Sequence, residues 1–166
     1  DIVHYFSNFL SNSSKTFSCI LDCEIVPFDK NSNKILPFQA LTTRSRKNVN
    51  KDDISVHVCC FLFDILLLND VCLMDKTLEE RRTIIKENFV ENDNVKITKY
   101  INSEEPEEIM EFMDESIKAG CEGLIVKALS TNSHYQPGER NFNWLKLKKD
   151  YLTDCTIGDS LDLVPI

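Results

Sequence analysis

Residues 56–68 form an almost unbroken apolar run, interrupted only by His57 and Asp64, and this run constrains the fold more than any other segment. A strand covered on both faces loses the usual apolar–polar alternation, so the run is expected to be the central strand of a sheet, ended by the Asn69-Asp70 turn. It is too short for a bilayer, which needs about 18 apolar residues or more. The rest of the chain must therefore supply neighbours that bury it.

The flanking segments give alternating element types. Residues 17–27 read as a strand, paired with 34–40 across the turn-forming Asp29-Lys30-Asn31-Ser32-Asn33. Thr77-Leu78-Glu79-Glu80 resembles a capping box and opens a helix with Leu78, Ile84, Ile85 and Phe89 as its apolar positions. Residues 95–101 are expected as a short strand. Residues 103–119 are expected as an amphipathic helix burying Ile109, Phe112, Met113 and Ile117, ended by Gly120. Strands at 121–128 and 141–148, separated by the turn Tyr135-Gln136-Pro137-Gly138, complete an α+β domain built on antiparallel sheet.

With 166 residues, 42% of them hydrophobic and 28% charged, the chain can form one globular domain with a core; a chain of this size buries roughly 70% of its unfolded surface. No signal peptide or basic targeting segment opens it. It begins at Asp1 rather than Met, and its apolar last residues, 161–166, read as a strand entering something further on, so an excised fragment is expected. Cys19, Cys23, Cys59, Cys60, Cys72, Cys121 and Cys155 lack paired CxxC spacing and read as buried small hydrophobes in a reducing compartment. His4, His57 and His134 lie near no nucleophile and receive no role.

A net charge of −8 argues against a free-standing nucleic-acid binder, but the charge is unevenly spread. Acid is concentrated over residues 104–115, whereas Arg44, Arg46, Lys47 and Lys51 cluster in one segment and Arg140, Lys146, Lys148 and Lys149 in another. Screening over about 8 Å lets a basic patch act despite a remote acidic helix. The Arg44 segment reads equally as an exposed loop.

Three placements carry chemistry. In Trp144-Leu145-Lys146-Leu147-Lys148, strand alternation puts Trp144, Lys146 and Lys148 on one face and Leu145 and Leu147 toward the core. The lysine face is either a phosphate clamp or simply solvated. In the strand over 17–27, Asp22 and Glu24 share one face while Leu21, Cys23 and Ile25 take the other. Glu122 precedes Gly123, where the missing side chain allows a ligand or another backbone to approach closely. Carboxylates in sheets need a cation, a metal or a donor. For these acids, a metal and a salt bridge to a lysine such as Lys146 both remain open.

Leu21-Asp22-Cys23-Glu24, Phe61-Leu62-Phe63-Asp64, Cys121-Glu122-Gly123-Leu124-Ile125-Val126-Lys127 and Trp144-Leu145-Lys146-Leu147-Lys148 resemble, in order and approximate spacing, motifs III, IIIa, IV and V of the covalent nucleotidyltransferases. More narrowly, the segments from Pro37 to Lys47 and from Leu145 to Leu152 resemble ATP-dependent DNA ligases of the replicative eukaryotic DNA ligase I type. The resemblance covers nearly the whole chain. It implies the C-terminal portion of an antiparallel-sheet, ATP-grasp-like ligase adenylation domain over residues 1–157, with 158–166 starting a truncated OB-fold domain.

The resemblance also implies roles. Glu24 would contact the ribose or a metal-bound water, and Phe63 would stack on adenine. Glu122, with Glu24, would hold Mg²⁺. Lys146 and Lys148 would grip the α-phosphate of ATP, later AMP, with Lys127 and Arg140 as further nucleotide contacts. Lys127 stands at an odd separation from Glu122, which in a regular strand puts it on the opposite face, so a bulge at Gly123 or a strand-end position is required. Arg44 and Arg46 would contact the backbone of nicked duplex DNA. The implied parent is a monomeric nuclear enzyme of replication, repair and recombination, docking to a sliding clamp through other regions and to no membrane. An RNA ligase or mRNA-capping nucleotidyltransferase shares the core motifs, and a non-catalytic interaction module is the remaining alternative.

One departure stands out. The family's nucleophilic lysine lies in a Lys-x-Asp-Gly motif, and none occurs in this sequence. The fragment alone is therefore expected to be inactive.

Overall fold

The computed structural model describes residues 2–6, 9, 18–43, 56–139 and 142–148. Helix α1 (Ile2–Phe6) precedes strand β1 (Cys19–Asp29) and the short β2 (Lys34–Ile35), followed by a 3-10 turn over Phe38–Thr43. Next come β3 (Val58–Leu68), β4 (Val71–Cys72), α2 (Leu78–Asn88), β5 (Val95–Ile97), α3 (Pro106–Lys118), β6 (Gly123–Lys127) and β7 (Trp144–Lys148).

The apolar run becomes the hub as expected. β3 pairs antiparallel with β1 and β4, and β2 extends the sheet beyond β1. Cys60, Leu62 and Ile65 of β3 join Phe9, Leu73, Ile85, Phe89 and Val95 in the main core cluster, against which Leu21, Cys23 and Ile25 also pack. That places Asp22 and Glu24 on the other face of β1. Phe9 and Phe89 stack with centroids 5.1 Å apart, tying the α1 end of the chain to the end of α2.

The register of β1 on β3 slips twice. Asp22 pairs with Asp64 but Cys23 pairs with Leu62, leaving Phe63 as an extra residue in β3. A bulge lets two residues oppose one. Leu62 and Ile65 can then both face the core although strict alternation forbids it at a spacing of three.

Helix α2 starts where its capping box does. The Thr77 hydroxyl accepts from the Glu80 amide while the Glu80 carboxylate accepts from the Thr77 amide at 2.8 Å. Both orphan donors are satisfied, and the bonds that the carboxylate accepts from the Thr77 amide and hydroxyl hold the Glu80 carboxyl below its ordinary value. Helix α3 buries Met113 and half-buries Ile109, Phe112 and Ile117. Gly120 follows it at φ +96°, with a hypothetical Cβ only 2.7 Å from the Ile35 carbonyl oxygen.

Four expectations are corrected. The segment 34–40 contributes only Lys34–Ile35 as strand, because Pro37 lacks the N–H that would continue the ladder and instead accepts from the Ala40 amide in the 3-10 turn. The strand expected over 95–101 stops at Ile97 and runs parallel to β3, so the sheet is mixed at that edge. Leu145 is 48% exposed rather than in the core, because β6 and β7 form a separate two-stranded ribbon with no large sheet behind it. Finally, Cys59 and Cys60 are buried but Cys72 is exposed; burial pushes the Cys60 thiol up to about 12. The expected OB-fold segment 158–166 lies outside the described residues.

Candidate active site

The five-stranded sheet and the β6–β7 ribbon each bring part of the expected constellation. The ribbon register pairs Lys127 with Trp144, Ile125 with Lys146, and Gly123 with Lys148. Cross-strand partners share a face, so Lys127, Trp144, Lys146 and Lys148 all lie on one side. The difficulty with Lys127 resolves at the strand end: Glu122 precedes β6 and is not bound by its alternation. Gly123 does admit another backbone, since a Cβ there would overlap the Leu147 carbonyl oxygen.

Lys146 Nζ lies 3.7 Å from a Glu122 carboxylate oxygen, with the side chains 57% and 74% exposed. A surface pair of this kind is worth only about 0–1 kcal/mol, so a phosphate can compete for the lysine. Lys148 is half-buried on the same face. Glu24 is exposed on β1 beside its partner Phe61 and makes no ion pair with another described residue. No cluster of three or more His, Cys, Asp or Glu side chains arranged for a metal occurs among the described residues. Magnesium retains most of its waters and needs only one or two carboxylates, which the exposed Glu122 and Glu24 fit by their chemistry.

Phe63, the bulge residue, meets the ribbon. Its ring lies edge-on to Trp144 at 6.5 Å, and the Lys127 ammonium sits 4.7 Å from the Phe63 centroid and 3.6 Å from that of Trp144. Burial lowers the Lys127 amine to about 8, partly opposed by the fields of Asp64 and Asp22. A cation between two aromatic rings gains from their quadrupoles. Phe63, Lys127 and Trp144 are thus brought together, Lys146 and Glu122 form a second group, and Glu24 joins neither through a direct bond. Arg44, Arg46 and Arg140 lie outside the described residues.

Sequence reasoning missed a buried polar group beneath these side chains. Arg81 and Asp64, both fully buried, form a forked pair, Nε to Oδ1 at 2.6 Å and Nη2 to Oδ2 at 3.0 Å. Arg81 Nη1 also donates to the carbonyls of Lys76 and Ser133, and the Ile65 amide donates to Asp64 Oδ1. The guanidinium lies 5.8 Å from the Tyr135 centroid, while the Tyr135 hydroxyl donates to Asp22 Oδ2 at 2.6 Å. Burial and that hydrogen bond push the phenol up to about 12. Tyr135 in turn stands edge-on to Trp144 at 5.6 Å. One signal was available: Arg81 falls between Leu78 and Ile85 on the buried stripe of α2.

A hollow of about 280 Å³ against α3 is lined by Ile101, Glu108, Glu111, Phe112 and Glu115. Its carboxylates repel phosphate, so the nucleotide reading belongs to the lysine face instead.

Comparisons with known proteins identify the family. Residues 1–148 match the family described as ATP dependent DNA ligase domain. DNA ligase 1 of Arabidopsis thaliana is 48% identical over the whole chain, which spans 21% of that relative, and DNA ligase 1 of Saccharomyces cerevisiae is 47% identical over 95% of the chain, again 21% of the relative. The chain therefore spans about a fifth of the length of these curated relatives. Among solved structures, a mycobacterial DNA ligase D complexed with ATP and MES aligns at a TM-score of 0.59 and 25% identity, covering 79% of this chain and 38% of that one.

Proposed function

The chain belongs to the ATP-dependent DNA ligase family, and from that premise we propose that it forms the nucleotide-binding part of an enzyme that seals nicks in duplex DNA. The observation that carries this reading is the shared face of Lys127, Trp144, Lys146 and Lys148 opposite the Phe63 bulge. That face sets cations beside an aromatic group. It suits a nucleotide, whose base needs stacking and whose phosphates need charge.

Lys146 and Lys148 hold the α-phosphate of ATP, Phe63 stacks on adenine, and Lys127 and Arg140 make further nucleotide contacts. Glu24 faces the ribose or a metal-bound water. Glu122 and Glu24 hold Mg²⁺, which when bound neutralises phosphate charge. The nucleophile is a lysine of a Lys-x-Asp-Gly motif outside this sequence. Its amine attacks the α-phosphorus, the bond to the pyrophosphate oxygen breaks, and pyrophosphate leaves. AMP then passes to the nick's 5′-phosphate, and the 3′-hydroxyl displaces it. Cations fixed by the strand favour the amine form of the nucleophile and stabilise charge on the transferring phosphate.

Residues 1–157 thus belong to the adenylation domain and 158–166 open an OB-fold domain. The parent acts as a nuclear monomer in replication, repair and recombination, with sliding-clamp docking through other regions. The named relatives are DNA ligases, which weighs against RNA ligase or capping activity.

Incubating the full-length enzyme with labelled ATP and Mg²⁺ tests the reading. Wild type is expected to form an AMP adduct that survives denaturing electrophoresis and is released by acid, as a phosphoramidate is, and Lys146→Ala to lower its rate by roughly 100- to 1,000-fold. The combined change Arg44→Ala and Arg46→Ala should leave adduct formation intact, impair sealing and flatten the salt dependence of DNA binding by about 0.9 per lost contact. No adduct with wild type refutes the proposal.

A further inference from the structure

We propose that Arg81, acting through Asp64 and Tyr135, is a positioning residue that sets the distance between the base-binding and phosphate-binding halves of the nucleotide site. The inference rests on the ligase reading and adds residues to it. The two halves belong to different sheets, Phe63 to the five-stranded sheet and the lysines to the β6–β7 ribbon, and no strand joins those sheets among the described residues. The Arg81 group spans the gap. Asp64 follows Phe63 directly, so the fork from Arg81 anchors the bulge that presents the ring. On the ribbon side, Arg81 holds the Ser133 carbonyl, two residues before Tyr135. Tyr135 abuts Trp144, the first residue of the strand that carries Lys146 and Lys148, and its hydroxyl returns to Asp22 of β1.

A buried ion pair is weak evidence of stabilisation, since apolar residues of similar volume often serve as well. The forked pair does supply direction. Arg81 Nε and Nη2 engage Asp64 while Nη1 engages the carbonyls of Lys76, just before α2, and of Ser133, between β6 and β7, so rotation of the guanidinium breaks several bonds at once. Tethered ligand halves bind together far more strongly than separately only when the site matches their spacing, and displacement by about 1 Å can cost roughly 100-fold in rate.

The test uses Tyr135→Phe, which removes one hydrogen bond and keeps the ring, and Arg81→Lys, which keeps the charge and loses the fork. In the full-length enzyme, kcat/KM for ATP in self-adenylation is measured beside competitive inhibition by adenosine and by tripolyphosphate, with nicked-DNA affinity as control. Because each half-site stays intact, adenosine and tripolyphosphate should inhibit within about twofold of wild type while kcat/KM for ATP falls by roughly 10- to 100-fold. Unchanged ATP kinetics in both variants overturn the proposal, as does parallel weakening of ATP, both fragments and DNA, which marks a merely structural role. If Arg81→Lys does not fold, the kinetics of Tyr135→Phe alone decide between these outcomes. Wild type that forms no AMP adduct refutes the ligase reading instead, a separate result.

Discussion

The β1–β3 region and the β6–β7 ribbon contribute to the same proposed site but are built differently. In the first, Cys60, Leu62, Ile65, Asp64 and the Arg81 packed against them have essentially no solvent exposure, and the Asp64–Arg81 ion pair is forked and supplemented by backbone bonds. In the ribbon, Ile125, Val126 and Leu145 are each about half exposed and the Glu122–Lys146 pair is open to water. Orientation and charge are therefore supplied by separate means. A buried network anchors the strand next to the aromatic ring, while the water-exposed Lys146 stays free to exchange its carboxylate partner, as the proposed phosphate contact requires.

Cutting each ion pair puts this contrast under the most severe strain. Asp64→Ala strands a buried guanidinium and should lower unfolding free energy by about 3–5 kcal/mol, whereas Glu122→Gln should change it by less than about 1 kcal/mol. Urea titration of both variants checks this, and equal losses would erase the distinction.

A more modest change is expected from apolar truncation. Leu62→Ala removes a fully buried side chain and should cost about 2–5 kcal/mol, while Leu145→Ala, at 48% exposure, should cost well under half as much. If Leu145 proves the more costly in the same urea series, the ribbon is packed against something and the contrast is misdrawn.

The least change is expected with pH. The Lys127 amine titrates near 8 when folded and about 10.4 when unfolded, so between those values the unfolded chain binds more protons and stability rises with pH. The burial penalty is full below pH 8 and fades toward 10.5. Lys127→Met removes it, so the stability of that variant minus wild type should shrink as pH rises through this window. Taking the difference cancels the buried thiols and Tyr135, whose raised values act in the opposite direction at higher pH. A flat difference would show Lys127 to be fully hydrated.

Much of the framework was legible because local rules and burial agreed. The 56–68 run, the Thr77–Glu80 capping box and the segregation of Asp22 and Glu24 from Leu21, Cys23 and Ile25 all follow from periodicity and side-chain chemistry. So does the shared face of Lys146 and Lys148. What escaped depends on contacts distant in sequence. The bulge at Phe63 exists only in the pairing of two strands, and inside an apolar run no alternation could reveal it. Arg81 sits on a helical stripe where a charge is ordinarily a reason to expect solvent, and its partner stands 17 residues away. Tyr135 lay in a segment marked as turn, yet its hydroxyl reaches Asp22 across 113 residues of chain. The exposure of Leu145 also could not be read locally, since alternation assigns faces without saying whether anything covers them.

Trp144 is the sole tryptophan in the 166-residue sequence, and a cation sits 3.6 Å from its ring. Indole emission responds to nearby charge because excitation redistributes electron density across the fused rings. The chain therefore carries its own optical voltmeter: losing the Lys127 proton removes a positive charge from one face of the fluorophore and should shift the emission wavelength. Titrating that shift reads the protonation of one amine directly, without any label attached to the protein.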